Sequence, residues 1–326
     1  MLKEVGKIIV DSRGTEKVIY APLSPPPPLE ENTIVYPDKK ELVIDWRRNF
    51  DRVIETQRVL KEAFIGQEEA TVAPNLEYPD LPMLLAVMTD AHIFASGTDH
   101  ELLKKHLDIV ISQPNVSMLD CGDFVDMGIW GTLVFEQILP PYMQGFTMKD
   151  LARELDEKMI AIIGGNHNDW MKVSGTGFYD AFLRRAKCPI MPAGGMIHLD
   201  LRGQTYDIAT KHTHWGRSKL NATNAPKRFI QWGYPEADCS ILGHSHQAAM
   251  EQFYMGGKNR LAVVGGTYKT NDQWAKRKGI ASHPERGGLG ILFYPNERKM
   301  IPFLQMEDGL EYLNTLIELS NLTAKG

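Results

Sequence analysis

Five short segments carry metal-ligand side chains in one order along the chain: Thr89-Asp90-Ala91-His92, Gly122-Asp123-Phe124-Val125-Asp126, Gly165-Asn166-His167, Lys211-His212-Thr213-His214 and Gly243-His244-Ser245-His246. The first, second, third and fifth each follow an apolar, partly β-branched run that reads as a buried strand. Metal sites are commonly built at such strand ends. Six of the ten histidines fall inside these segments, together with carboxylates and an Asn side chain, so the chemistry-bearing residues are concentrated at strand exits.

From Leu81 onward, strands and helices alternate. Strands are expected at Met83–Thr89, Val116–Asp120 and Met159–Ile163, with helices at His100–Ser112, Lys149–Lys158 and Gly177–Ala186. This βαβ order predicts a mostly parallel first sheet. Beyond Pro189 the expected strands are Met196–Leu201, Tyr206–Thr210, Ser240–Leu242, Leu261–Val264, Leu289–Tyr294 and Met300–Leu304, with few helices between them, which predicts a second, mixed sheet. Leu310, Tyr312, Leu313, Leu316, Ile317 and Leu319 form an amphipathic closing helix.

Residues 1–75 read as an extension and 76–326 as the main domain. The extension holds short alternating stretches at Lys7–Val10 and Lys17–Tyr20, then a Pro25–Pro28 run that must be extended. Trp46, Phe50, Val53, Ile54, Leu60 and Phe64 follow at helical spacing, between a capping Asp45 and a terminating Gly66.

A chain of 326 residues with 43 % hydrophobic residues can bury a large core. The net charge of −5 gives no footprint for non-specific nucleic-acid binding, although a local basic groove is compatible with it. Three cysteines without paired spacing read as reduced thiols of a cytoplasmic protein, and the longest apolar run, Leu81 to Met88, is too short to span a membrane.

Two divalent ions held together need a shared anionic oxygen, neutral nitrogens and positions left open. Asp90 and His92, two apart at a strand exit, can both reach one ion, and Asp123 can offer a bridging carboxylate. His244 and His246 can serve the two ions separately, while Asn166 adds an amide oxygen suited to Mn²⁺, Fe or Zn²⁺. The structural alternatives are turn-capping carboxylates, an Asn in a left-handed turn and hydrogen-bonded loop histidines. Asp120 and Asp126 read as groups that orient backbone or histidines.

Taken together, the segments resemble the calcineurin-like metallophosphoesterase superfamily, whose pattern runs D-x-H, G-D-x-x-D, G-N-H-[D/E], H and G-H-x-H. The resemblance covers roughly residues 82 to 270. It implies a four-layer α/β/β/α sandwich of two mixed sheets and hydrolysis of phosphate esters by a hydroxide activated at a binuclear centre. In it Asp90, His92 and His246 hold the first ion, Asn166, His212 and His244 the second, and Asp123 bridges. His167 would not bind metal but would protonate the leaving group or hydrogen-bond a phosphate oxygen. The segment His212 to Asn221 is similar to an H-x-x-x-G-x-S-x-x-N variant of phage-associated and bacterial members, a register that selects His212 over His214 as ligand. His214 then faces substrate or is structural, and Arg217 is a candidate phosphate clamp or a surface residue.

Met127 and Asn168 stand where phosphoprotein phosphatases of the superfamily carry Arg and Glu, which argues against that substrate class. Asp169 is the nearest acid able to orient His167. A nucleotide or nucleic-acid phosphodiester is favoured by the phage-like segment. A phosphomonoesterase and a non-catalytic protein retaining the fold are the alternatives.

Overall fold

In a computed structural model, the described residues are 6–10, 16–20, 50–51, 54–55, 68–126, 128, 135–139, 141–167, 186–216, 218, 220–270 and 287–323. The chain divides into two units, Met1–Glu62 and Ala63–Gly326. In the first, β1 (Gly6–Val10) and β2 (Glu16–Tyr20) form an antiparallel hairpin with Gly6 opposite Tyr20. Of the expected helix after Asp45, Phe50, Asp51, Ile54 and Glu55 are described, all helical and exposed; the proline run lies outside the described residues.

The second unit begins ahead of residue 76, the expected start of the main domain, because β3 (Glu69–Val72) pairs in parallel with β8 (Gly195–Leu201). One six-stranded sheet has the order β14-β13-β4-β5-β6-β7, from β4 (Met83–Met88), β5 (Val116–Asp120), β6 (Met159–Ile163), β7 (Ile190–Met191), β13 (Leu289–Phe293) and β14 (Met300–Phe303). The other has the order β11-β12-β10-β9-β8-β3, adding β9 (Gln204–Lys211), β10 (Cys239–Leu242), β11 (Ala249–Met255) and β12 (Lys258–Val264). Both sheets are mixed, as expected.

One expectation is corrected: Leu289–Tyr294 and Met300–Leu304 do not join the second sheet. Instead β13 returns to pair antiparallel with β4, Ile291 opposite Leu85. Leu289–Phe293 is buried at every position, so it needs cover on both faces, and a place inside the first sheet provides it.

The layers follow from where the apolar faces go. Leu85, Val87, Leu119, Ile163 and Ile291 of the first sheet meet Ile197, Tyr206, Ile208, Ile241 and Val263 of the second. On the outer face of the first sheet, Leu84, Ala86 and Met118 pack with Leu103, Leu107 and Val110 of α1 (His100–Ser112), Met148 and Leu155 of α2 (Pro141–Leu155), and Leu313 and Ile317 of α4 (Met306–Thr323). On the far side α3 (Asn224–Gly233) buries Ala225, Phe229 and Ile230 against Met196 and Ala209. The result is the expected four-layer α/β/β/α sandwich.

Apolar spacing does not announce α3, which carries Pro226 in its first turn; a proline is tolerated there because that N–H has no partner within the helix. Likewise α2 begins at Pro141, well ahead of the expected Lys149, and ends at Leu155. The expected helix Gly177–Ala186 lies almost wholly outside the described residues. Among the described residues, no helix is long and apolar enough to cross a membrane.

Candidate metal centre

Parallel pairing aligns the strand ends. β4, β5 and β6 run parallel, and so do β9, β10 and β12, so the C-terminal exits of each set point the same way. Asp90 and His92 follow β4, Asp123 follows β5, Asn166 and His167 follow β6, His212 follows β9, and His244 and His246 follow β10. The exits are laced together by backbone bonds: Asp90 N–H to Gly122 O (2.9 Å), His92 N–H to Asp123 O (3.0 Å) and Gly243 N–H to His212 O (2.9 Å).

The turns are tight enough to force unusual backbone. Asp90, His92, Asp123, His244 and His246 all have positive φ, between 46° and 69°. Five of the eight non-glycine residues with positive φ among the described residues are therefore candidate ligands, each costing about 1–3 kcal/mol that the surrounding structure must offset. The neighbouring glycines are spatial requirements. A Cβ at Gly122 (φ +96°) would stand 2.5 Å from His212 Nδ1, and one at Gly165 would collide with Asp123.

Three groups of ligand atoms, each within 4.8 Å, result: Asp90, Asp123, His212 and His244; Asp90, His92 and His246; and His92, Asp123 and His167. Asp90 is common to the first two. Its Oδ2 accepts the Thr89 hydroxyl (2.5 Å) and the His244 N–H (2.7 Å). Its Oδ1 makes no hydrogen bond, although His246 Nε2 stands 3.1 Å away and His92 and His212 Nε2 each 3.9 Å away. His212 Nε2, 3.0 Å from Asp123 Oδ2, and Asn166 Oδ1 are also buried without hydrogen bonds. Buried polar atoms left so cost about 1–3 kcal/mol each unless something binds them. Facing oxygens and imidazole nitrogens of this kind fit a borderline divalent cation.

The histidines are oriented from behind. His212 Nδ1 donates to Cys121 O (2.8 Å), which turns Nε2 inward. His92 Nδ1 lies 2.8 Å from Asp126 Oδ1, which also takes Lys269 Nζ at 3.0 Å, while Asp126 Oδ2 accepts Gln137 Nε2 at 2.5 Å. Burial would raise the Asp126 carboxyl, but His92 and Lys269 outweigh it and hold it below the ordinary carboxylate range. His167 Nδ1 bonds the Asp126 backbone carbonyl, and its N–H donates to Asp123 Oδ1 (2.8 Å). Asp126 thus anchors both rings. Asp169, the acid expected to steady His167, lies outside the described residues, as does Arg217.

His214 is in none of these groups; its ring lies against Phe229 (4.9 Å) and Trp215 (5.5 Å). Sequence reading missed Lys269 entirely. Its one signal is the Gly265-Gly266-Thr267 turn after the apolar run of β12, which resembles the other strand exits; Thr267 Oγ1 donates to Asp90 O (2.8 Å).

Burial lowers the His92 imidazole to about 4, so it is neutral and ready to donate a lone pair at neutral pH. His212 differs: burial disfavours its charge, but Asp90 and Asp123 raise it to about 9. Below that value its proton competes with a cation, so affinity should rise with pH and flatten above about 9. Calorimetric titration of Mn²⁺ at about pH 7.5, in buffers of different ionisation enthalpy, should register proton release on binding. Binding with no proton released would contradict this arrangement.

No protein-family model matches the sequence, and no protein of curated function matches it. Solved structures do. Vps29 from Entamoeba histolytica complexed with Zn²⁺ is 13 % identical, covering 68 % of this chain and 100 % of that one, at a TM-score of 0.35. A Pseudomonas putida nuclease MPE is 13 % identical over 67 % of this chain and 87 % of its own, at 0.33. A metallophosphoesterase from Sphaerobacter thermophilus is 15 % identical over 68 % and 87 %, at 0.35. At such identities and scores, the chemistry rests on this chain's own residues.

Proposed function

We propose that the chain is a metal-dependent phosphoesterase of the calcineurin-like type that acts on phosphodiesters of nucleotides or nucleic acids. The observation that carries this reading is the convergence of Asp90, His92, Asp123, His212, His244 and His246, with Asp90 Oδ1 and His212 Nε2 buried there without hydrogen bonds. Asp90, His92 and His246 would hold one divalent ion, Asn166, His212 and His244 a second, with Asp123 between them; Mn, Fe or Zn suits these donors. Asp90, common to two of the ligand groups, would share the bridging position. Bound there, two cations would supply Lewis acidity toward a phosphoryl oxygen and lower the pKa of water.

The chain's own residues do the rest. His167, fixed through Nδ1 on the Asp126 carbonyl, carries the proton for the leaving oxygen on Nε2. Burial keeps His92 neutral against the pull of Asp126, and Asp126, itself held by Lys269, fixes the ring through Nδ1. The same proposal includes a cytoplasmic location and a phage-associated origin, the latter supported by the pattern from His212 to Asn221.

Turnover of bis-p-nitrophenyl phosphate against p-nitrophenyl phosphate with Mn²⁺ tests the reading. Preference for the diester is expected; preference for the monoester would make the chain a phosphomonoesterase. Hydrolysis of neither would leave a binding protein.

A further inference from the structure

We propose that Trp215, Trp232 and Arg228 form a stacking platform for the bases of a single-stranded nucleic acid whose backbone leads to the metal centre. This rests on the phosphoesterase reading for what is cleaved, but not for what is bound. Trp215 and Trp232 are 59 % and 54 % exposed, yet they are ordered against each other, with ring centroids 4.7 Å apart and planes 15° from parallel. The Arg228 guanidinium carbon lies 5.4 Å and 5.2 Å from the two ring centres. Leu220, five residues after Trp215 in the chain, is wholly exposed. Large apolar groups gathered at a surface mark an interaction site more often than scattered ones do.

The loop that carries Trp215 is held on α3. The Asn224 amide donates to Gly216 O (2.8 Å), the Ser218 hydroxyl takes the N–H groups of Leu220 and Asn221 (3.2 Å each), and His214 rests on Phe229. The indoles are therefore presented in advance, so little order is lost when a flat ring stacks on them.

Charge selects the occupant. The described residues between 208 and 235 include the cations Lys211, Lys227 and Arg228 and no acidic residue, within a chain of net charge −5. One of these cations, Lys227, is paired with Glu251 at 2.8 Å. A neutral sugar would use the indoles but leave the cations unexplained, whereas a nucleic-acid strand uses both, bases on aromatic faces and phosphates on cations. The position agrees: Trp215 follows His212 by three residues, so their Cα atoms are at most about 11 Å apart.

The probe is a fluorescently labelled oligo-dT of about ten nucleotides, titrated in EDTA so that no cation supports hydrolysis. Indole fluorescence should be quenched on binding, and Trp215→Ala or Trp232→Ala should each raise Kd by roughly 5- to 100-fold, with Trp232→Phe keeping most of the affinity. Circular dichroism of each variant reports its fold. Absence of quenching, or unchanged Kd in both alanine variants, overturns the platform. Wild-type turnover of bis-p-nitrophenyl phosphate reads the metal centre separately. Oligonucleotide binding without that turnover supports the platform and sinks the phosphoesterase reading; turnover without oligonucleotide binding sinks the platform alone.

Discussion

Asp90→Asn should empty the centre of cations and abolish turnover together. The reason lies in which oxygen does what. Asp90 Oδ2 is fixed by two donors, the Thr89 hydroxyl and the His244 N–H. An amide would have to place its oxygen there, which turns its NH₂ toward the imidazole nitrogens of His92, His212 and His246. A donor then stands where a ligand oxygen is needed, and the negative charge is gone. Burial would raise the Asp90 carboxyl, yet the surrounding histidines hold it far below the ordinary range, so it is the anion around which the cluster is built. Mn²⁺ affinity should fall by more than the roughly 10–100-fold that loss of a supporting partner costs. Elemental analysis of Mn²⁺-loaded protein checks this, and a variant that keeps its metal load would remove Asp90 from the shared position. Asp120→Asn is the control: Asp120 bonds the Gly122 N–H at 2.9 Å, belongs to none of the ligand groups, and should leave the metal count intact.

His167→Ala should lower turnover by on the order of 10²-fold or more while the cations stay bound. The N–H that supports Asp123 belongs to the backbone and survives the substitution. The loss should be larger for a nucleotide ester than for a p-nitrophenyl ester, because p-nitrophenolate departs with little help from an acid. His167 also groups with His92 and Asp123, so a fall in metal content would make it a ligand instead. Equal losses on both esters would deny it the proton.

Much of the centre was legible because buried parallel strands read as unbroken apolar runs. The expected β4, β5 and β6 agree with the observed Met83–Met88, Val116–Asp120 and Met159–Ile163 within one residue, and the ligand candidates sit on their exits. Pairing was less legible. Leu289–Phe293 is a clear strand by composition, but nothing in its own residues says that its neighbour is β4 and not a strand of the second sheet. Glu69–Val72 is too short and polar to announce β3. Among the site residues, the two-residue spacing of the D-x-H and H-x-H segments was readable. That Asp126 would steady both His92 and His167 with Lys269 beside it was not, because Lys269 lies 143 positions from its partner and meets it only through the fold. His212 and His214 are equivalent as chemistry; the Cys121 carbonyl, which turns His212 inward, and the Phe229 ring, which takes His214, distinguish them.

The most direct test is anomalous diffraction from crystals grown with Mn²⁺. Two peaks are expected, one among Asp90, His92 and His246 and the other among Asn166, His212 and His244, with Asp123 touching both. Peaks elsewhere on the surface, with the facing atoms of Asp90, Asn166 and His212 still unliganded, would contradict the account.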